Sequence, residues 1–551
     1  MTEPPQPPNQ PPTPSGYGHL PGPPPSGYGQ PPQGANPYAQ QPQQPPYAQQ
    51  PQQPPYGAPQ QPGPGYPPAP PGPPTMPPGA PGAPGRKATV LVAAAVAGVL
   101  VLGAGTYFAF FNDGDGKDPA PPVAQSSPPS GAEPSASVDN GDGSGDGGAE
   151  ADLNSGRKQG EDKVLWLKTS KVDGPGLGVG AKGQWVVGDT VAKTVWKSLV
   201  GYAVTDGKEK WKIDFPAEVC GVTGQTTEDG KTVVVVKDGD GDGAVCNQMK
   251  MIDLKAGKEG WTKEVPKEGM FDIMTDASPT ITGDTVAINR FISTSAFKVS
   301  TGDRLFAGSG SEGCKANSYA ADKGKMIAVA TCQDADSTVE IQDADPATGK
   351  KTWSYRLAKG LKVTNVYSVD PIVVDVSDQA KKQRAIVVLG PDGKLRSQVT
   401  GEGNFASGCG LGDRDLMTCR PAAVDGDVLY LPTSPEVGVG NEIVAFDLST
   451  GKAKWRTPAG EKRTIRPLKA AGGQLVFYRQ AGYDHAGEVL TVPAAGGTPT
   501  AVLRHPSGPA AEVENSFFSP LVHYADGRFF LSATRLQAKG KDEKLLMVFG
   551  K

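Results

Sequence analysis

The sequence predicts an all-β fold, an eight-bladed β-propeller, carried behind a single transmembrane helix and a disordered N-terminal tail. Three observations predict it. A hairpin pattern recurs seven times in the second half of the chain, its turn glycines 44–58 residues apart. No segment of that half shows a sustained apolar period of about 3.6 residues, so helix is a minor component. One uninterrupted apolar run, Ala88–Phe111, separates two parts of unlike composition.

Residues 1–87 are dominated by Pro, Gln, Gly and Tyr. With hardly an aliphatic side chain, they cannot bury enough surface to offset the entropy of ordering. The repeat PYAQQPQQP sets Tyr38, Tyr47 and Tyr56 nine residues apart, and SGYG occurs at Ser15–Gly18 and Ser26–Gly29. Such proline density favours extended polyproline II segments, a form that proline-recognising domains bind. Composition alone names no partner for the tail.

The run Ala88–Phe111 holds no charged residue and no proline. As a helix it would extend roughly 36 Å, enough to cross a bilayer core of about 30 Å with some tilt. Arg86 and Lys87 precede it, and Asp113 and Asp115 follow it. The positive-inside rule then leaves the tail in the cytoplasm and the rest of the chain outside. Ala95-Val96-Ala97 has the small-x-small pattern of a signal cleavage site, but the run is longer and further from the start than a signal core. The expected localisation is therefore the cell membrane, single-pass, with the propeller extracellular.

Residues 112–160 are Gly, Ser, Pro, Ala and Asp, including DNGDGSGDGG, and read as a flexible linker. Residues 161–551 read as the propeller. Within them, Gly201–Trp211 (GYAVTDGKEKW) is echoed by Met251–Trp261 (MIDLKAGKEGW), Ile341–Trp353 and Ile443–Trp455. Weaker copies lie at Phe297–Phe306, Val387–Leu395 and Val489–Thr498. Each reads as a strand, a turn carrying glycine, and a second strand. Glycine supplies the positive φ of a tight turn, and Asp or Thr hydrogen-bonds the turn backbone. The recurring tryptophans, Trp166, Trp211, Trp261, Trp353 and Trp455, are expected to fill the gaps between sheets, each N–H finding a carbonyl.

The turn glycines are Gly207, Gly257, Gly302, Gly349, Gly393, Gly451 and Gly497. Their spacing leaves room for four short strands per unit, and four-stranded sheets repeated about an axis make a propeller. The chain ends supply the eighth unit. Leu545–Phe549 resembles the strand before the turn, and Lys163–Trp166 resembles the strand after it.

The formal net charge is −4, and there is no basic face of the kind nucleic-acid binding needs. All six cysteines follow the apolar run, on the oxidising side. Nearest-neighbour pairing gives Cys220–Cys246, Cys314–Cys332 and Cys409–Cys419. His485, His505 and His523 have no metal-ligand spacing. Gly178–Gly183 matches a dinucleotide fingerprint in its letters but runs into strand-like QWVV, so it reads as a glycine-rich loop. Asp238, Asp240 and Asp242 with Gly243 match the front of a calcium loop. Position 12 of that loop is Met249 where a bidentate Glu is needed, so an acidic hairpin tip is the alternative.

These repeats resemble the pyrroloquinoline-quinone-type propeller repeat, whose units run strand-Asp-x-x-Thr-Gly-x-x-x-Trp. The resemblance covers residues 163–551 and implies eight blades. The family includes quinoprotein alcohol dehydrogenases, a lipoprotein scaffold of outer-membrane assembly and membrane-anchored proteins. The organisation here is most similar to the last group. The quinone enzymes hold their cofactor against two adjacent cysteines, and this chain has no adjacent pair. The resemblance therefore implies no cofactor, no metal and no catalytic residues. A non-catalytic protein-binding or scaffolding module is expected. An extracellular ligand sensor acting through a separate partner is the alternative, ahead of a quinone-dependent dehydrogenase.

Overall fold

The computed structural model describes residues 152–270, 272–308, 313–406, 416–417, 422–436 and 438–551. The expected tail, the membrane span Ala88–Phe111 and most of the linker lie outside the described residues, as do Cys409 and Cys419.

Eight four-stranded antiparallel sheets account for nearly all of the strands. They span residues 184–214, 219–264, 278–307, 314–356, 362–399, 423–458 and 465–504, numbered here as blades 1 to 7. Blade 8 joins the two chain ends: strands Leu521–Ala525, Arg528–Ser532 and Lys539–Gly550 are completed by Lys163–Asp173. Trp166 pairs with Val548 and Lys163 with Gly550, so the first strand closes the ring on the last. The apolar runs at 232–236, 285–288, 326–329, 428–431 and 474–477 are the second strands of their blades. The one helix among the described residues is Pro509–Asn515.

The order within each sheet is sequential, and the first strands of successive blades touch one another from blade 2 to blade 8. First strands therefore form the inner ring, and fourth strands the rim. The core lies between blades. Val233 and Val235 of blade 2 pack with Ile281, Val286 and Phe297 of blade 3, and Tyr430 and Ile443 of blade 6 with Leu475 and Phe477 of blade 7. Both faces of each inner sheet are thus covered, and strands such as Thr190–Val195 and Thr285–Asn289 are buried along their whole length.

The folded part starts before residue 161. Leu153 packs against the cluster shared by blades 7 and 8, and the Asn154 side chain bonds both the amide and the carbonyl of Val164. Glu161 accepts from the Ser507 amide at 2.9 Å, and Asp162 from the Arg504 amide at 2.7 Å. Residues 152–160, expected in the linker, are held to the propeller by these contacts.

One irregularity recurs in the fourth strand of all eight blades. The ladder slips by a residue just before the position that Trp166, Trp211, Trp261, Trp353 and Trp455 occupy. The other blades place Phe306, Ser397 and Leu503 there. The bulge turns that side chain toward the following blade. Trp166, Trp261, Trp353 and Trp455 donate their indole N–H to Val204, Val299, Pro391 and Ala494 carbonyls at 2.7–3.2 Å. Trp211 stacks on Gly257, but its buried N–H has no partner. Where Ser397 replaces tryptophan, its Oγ donates directly to the Leu448 carbonyl at 2.6 Å. Trp455 meets Gly496 rather than Gly497.

Candidate functional site: the long-loop face

Antiparallel order gives the ring two unlike faces. One carries the turns between first and second strands and between third and fourth strands. Most of these are short, such as 188–189, 283–284, 426–427, 204–208 and 390–394. The other carries the second-to-third connections and the links between blades, including 174–183, 238–245, 265–277, 400–422, 433–441, 480–487 and 505–520. It is called the long-loop face below.

Large apolar side chains sort onto one face. Among the described residues nine are exposed: Leu177, Met270, Ile273, Phe291, Ile292, Leu395, Val439, Tyr483 and Phe518. Eight of them lie in connections of the long-loop face. Leu395 alone borders the short-turn face, which carries ion pairs such as Lys208–Asp206, Lys394–Asp392 and Arg396–Asp427. Met270, Ile273, Phe291 and Ile292 sit in two segments that a buried ion pair ties together.

That pair is Arg290 and Asp272, both side chains fully buried. Arg290 Nε donates to Asp272 Oδ1 at 3.0 Å and Nη2 to Oδ2 at 2.8 Å. Burial alone would raise the Asp272 pKa, but the Arg290 hydrogen bonds and the Glu268 amide hold it below the usual carboxylate value. Ser295 Oγ and Arg304 then fix Glu268 in the same loop.

The two other longest connections are anchored in the same way. Arg384 is paired with buried Asp375 and donates to the carbonyls of Phe405 and Ala406, at the start of 400–422. Tyr367 Oη donates to the same carboxylate at 2.7 Å. In 505–520, buried Glu514 sits 2.7 Å from His505 Nδ1 and accepts from Tyr478 Oη. His505 stacks on Phe549 with centroids 3.9 Å apart. A buried charge left unpaired is costly, so each pairing anchors the described loop residues that it touches. Loops fixed before binding lose less freedom when a partner arrives.

The four described cysteines fall toward this face. Cys220 is bonded to Cys246, and Cys314 to Cys332. Each bond joins two strand ends of one blade. Cys314, Cys332 and Glu340 also form the one group of metal-ligand types within coordinating distance among the described residues. Both sulfurs are spent in the disulfide, and Arg356 occupies Glu340 at 3.1 Å.

Asp238 accepts from the Val245 amide, and Asp240 pairs with Lys197 of blade 1 at 2.6 Å. Gly178–Gly183 lies in the link 174–183, where Val179–Gly180 pairs with Arg535–Leu536. His485 neighbours Asp484 in 480–487, and His523 lies on Leu521–Ala525. The three histidines share no site. Burial pushes the Lys193 ammonium of blade 1 down to about 7.

The architecture is that of an eight-bladed propeller with a docked aromatic between most blades. Residues 152–320 match the family described as outer membrane protein assembly factor BamB, whose PQQ-type repeat the propeller's units resemble. No curated protein matches the chain. Among solved structures, BamB from Moraxella catarrhalis is similar at 14% identity and a TM-score of 0.40, over 70% of this chain and 100% of that one. The quinohemoprotein alcohol dehydrogenase from Comamonas testosteroni is similar at 14% identity and a TM-score of 0.42, over 71% and 75%. ADHIIG from Pseudomonas putida HK5, another such dehydrogenase, is similar at 13% identity and 0.42, over 71% and 76%.

A quinone does not fit the donors that the described residues offer. The described cysteines are disulfide-bonded pairs within blades rather than a vicinal pair, and the buried carboxylates Asp272 and Asp375 are taken up by Arg290 and Arg384.

Proposed function

We propose that this chain is a membrane-anchored, extracytoplasmic propeller that binds a protein partner through its long-loop face and performs no chemistry of its own. One observation carries the reading: among the described residues, eight of nine exposed large apolar side chains lie on that face. Contiguous exposed apolar surface marks interaction sites, and aromatic and Met side chains are enriched at interface centres. Buried ion pairs hold the loops that present them. The matched family's description as an assembly factor agrees with a scaffolding role. The apolar run Ala88–Phe111 supports the anchor, and Arg86-Lys87 against Asp113 and Asp115 supports its orientation.

The test is comparative capture from cell envelope. Full-length protein is compared with Met270→Asp/Phe291→Asp on the long-loop face and Leu395→Asp on the other. The reading expects one protein to be retained by wild type and Leu395→Asp and lost by the double variant. Retention by the double variant and loss by Leu395→Asp would reverse the face.

A further inference from the structure

At the seam where the ring closes, the outer strand of blade 8 and the third and fourth strands of blade 1 leave a cleft of about 430 Å³. That volume lies within the range of about 300–1,000 Å³ usual for small-molecule sites. Its base is apolar, formed by Val200 and Leu545, with Trp196 and Tyr202 on its wall. Groups of both signs rim it: Lys171 and Glu209, and Lys212 with Asp214, which pair with each other at 2.8 Å.

Trp196 is out of place by every local rule. Trp196-Lys197 is a two-residue hairpin turn between Val195 and Ser198, and Trp196 has φ +51°. Such a turn normally places glycine at its first central position, as Gly188, Gly283, Gly426 and Gly472 do elsewhere in the ring. A bulky side chain at positive φ is strained and persists where its surroundings over-determine it. Here they do. The Trp196 amide donates to the Gly180 carbonyl at 2.9 Å, its own carbonyl accepts from Val219, and the Lys197 carbonyl accepts from Phe215. The indole is half-buried against the apolar cluster shared by blades 1 and 8, and lines the cleft. Lys197 lies over its ring at 4.8 Å while pairing with Asp240.

We propose that this cleft is a binding site for a neutral oligosaccharide, with Trp196 as the stacking platform. An aromatic face suits the apolar C–H side of a sugar ring. A rim that both donates and accepts suits hydroxyls, which do both, whereas an anion would need one sign of charge. The site uses both chain ends, so an occupant also braces the closing blade. It stands on observations separate from the protein-binding face, and either reading survives the failure of the other.

Full-length protein, purified without sugar-based detergent, is titrated with chitotriose, maltotriose and cellotriose, reading tryptophan fluorescence and melting temperature. Inorganic phosphate is the charged control. At least one trisaccharide is expected to bind and to raise the melting temperature. Trp196→Gly suits the turn, so it keeps the fold while weakening that binding by about tenfold or more, roughly 1.4 kcal/mol. Glu209→Gln is expected to weaken it less. Three trisaccharides that fail to bind, phosphate binding in their place, or a Trp196→Gly protein that binds as wild type would each overturn the proposal.

Discussion

The indole of Trp166, on the closing strand of blade 8, lies flat against Gly207 in the last turn of blade 1. A methyl group at Gly207 would sit 2.6 Å from the ring, and the glycine holds φ +68°. Trp166 also donates to the Val204 carbonyl at 3.2 Å, at the start of the same turn. The same relation joins Trp211 to Gly257, Trp261 to Gly302, Phe306 to Gly349 and Trp353 to Gly393. One glycine therefore serves two ends, turning its own hairpin and receiving the neighbouring blade.

Gly207→Ala is expected to destabilise the propeller by about 1–3 kcal/mol, because it combines a strained φ with an overpacked contact. Trp166→Ala is expected to cost more, about 3–5 kcal/mol, leaving a void at the seam. Urea unfolding midpoints check both. Gly188→Ala, where a methyl group meets nothing within 4 Å, separates the φ effect from the contact.

Much of this ring was legible in the chain. Turn glycines and tryptophans are local signals, and the two half-patterns at the ends gave the closing blade. Phe306, Ser397 and Leu503 were harder, because only the bulge register identifies their position as that of the tryptophan. Residues 152–160 have linker composition, and side-chain bonds such as Asn154 to Val164 hold them in place. The face and its anchors were not legible. Met270 and Phe291 have the composition of core residues, and nothing local distinguishes an exposed apolar side chain. Arg290 and Asp272 are eighteen positions apart and His505 and Glu514 nine, in loops without periodicity. An arginine two residues past the apolar run Val286–Ile288 was the one available hint.

Lys193 makes stability depend on pH in a defined direction. Burial lowers its folded-state pKa from 10.5 to about 7, and its ammonium donates to the Ala181 carbonyl. Between these values the unfolded chain binds the proton that the folded chain has lost. Stability should therefore rise from neutral pH toward pH 10, with a slope of at most about 1.4 kcal/mol per unit from this group. Lys193→Met should be the more stable protein at pH 7 and lose that part of the slope, as denaturant titrations across the range would reveal.

Asp272→Asn leaves the Arg290 guanidinium buried without its counter-charge. Breaking such a pair costs about 3–5 kcal/mol, and here the cost should fall first on the loop it anchors. Faster amide hydrogen exchange across 265–277, with blade 6 unchanged, is the expected pattern. The Asp272 pKa is depressed in the fold, so its contribution is present above the unfolded value and lost as pH falls through the folded one. Unchanged exchange in the variant would mean that the loop is held by other contacts.

Peptide mapping without reduction should recover Cys220–Cys246 and Cys314–Cys332, as the structure pairs them. Cys409–Cys419 is the expected third bond, joining two points of the link 400–422. Free thiols at these two positions would leave that link held by contacts such as those with Arg384, Val366 and Pro432.

The central claim, a protein partner on the long-loop face, is tested most directly by site-specific crosslinking in intact cells. A photo-crosslinking amino acid replaces Met270, Phe518 or Leu395 in turn, and the adducts are identified by mass spectrometry. The account predicts that positions 270 and 518 trap the same protein and that position 395 traps none. Adducts confined to position 395, or no protein trapped from either long-loop position, would contradict it.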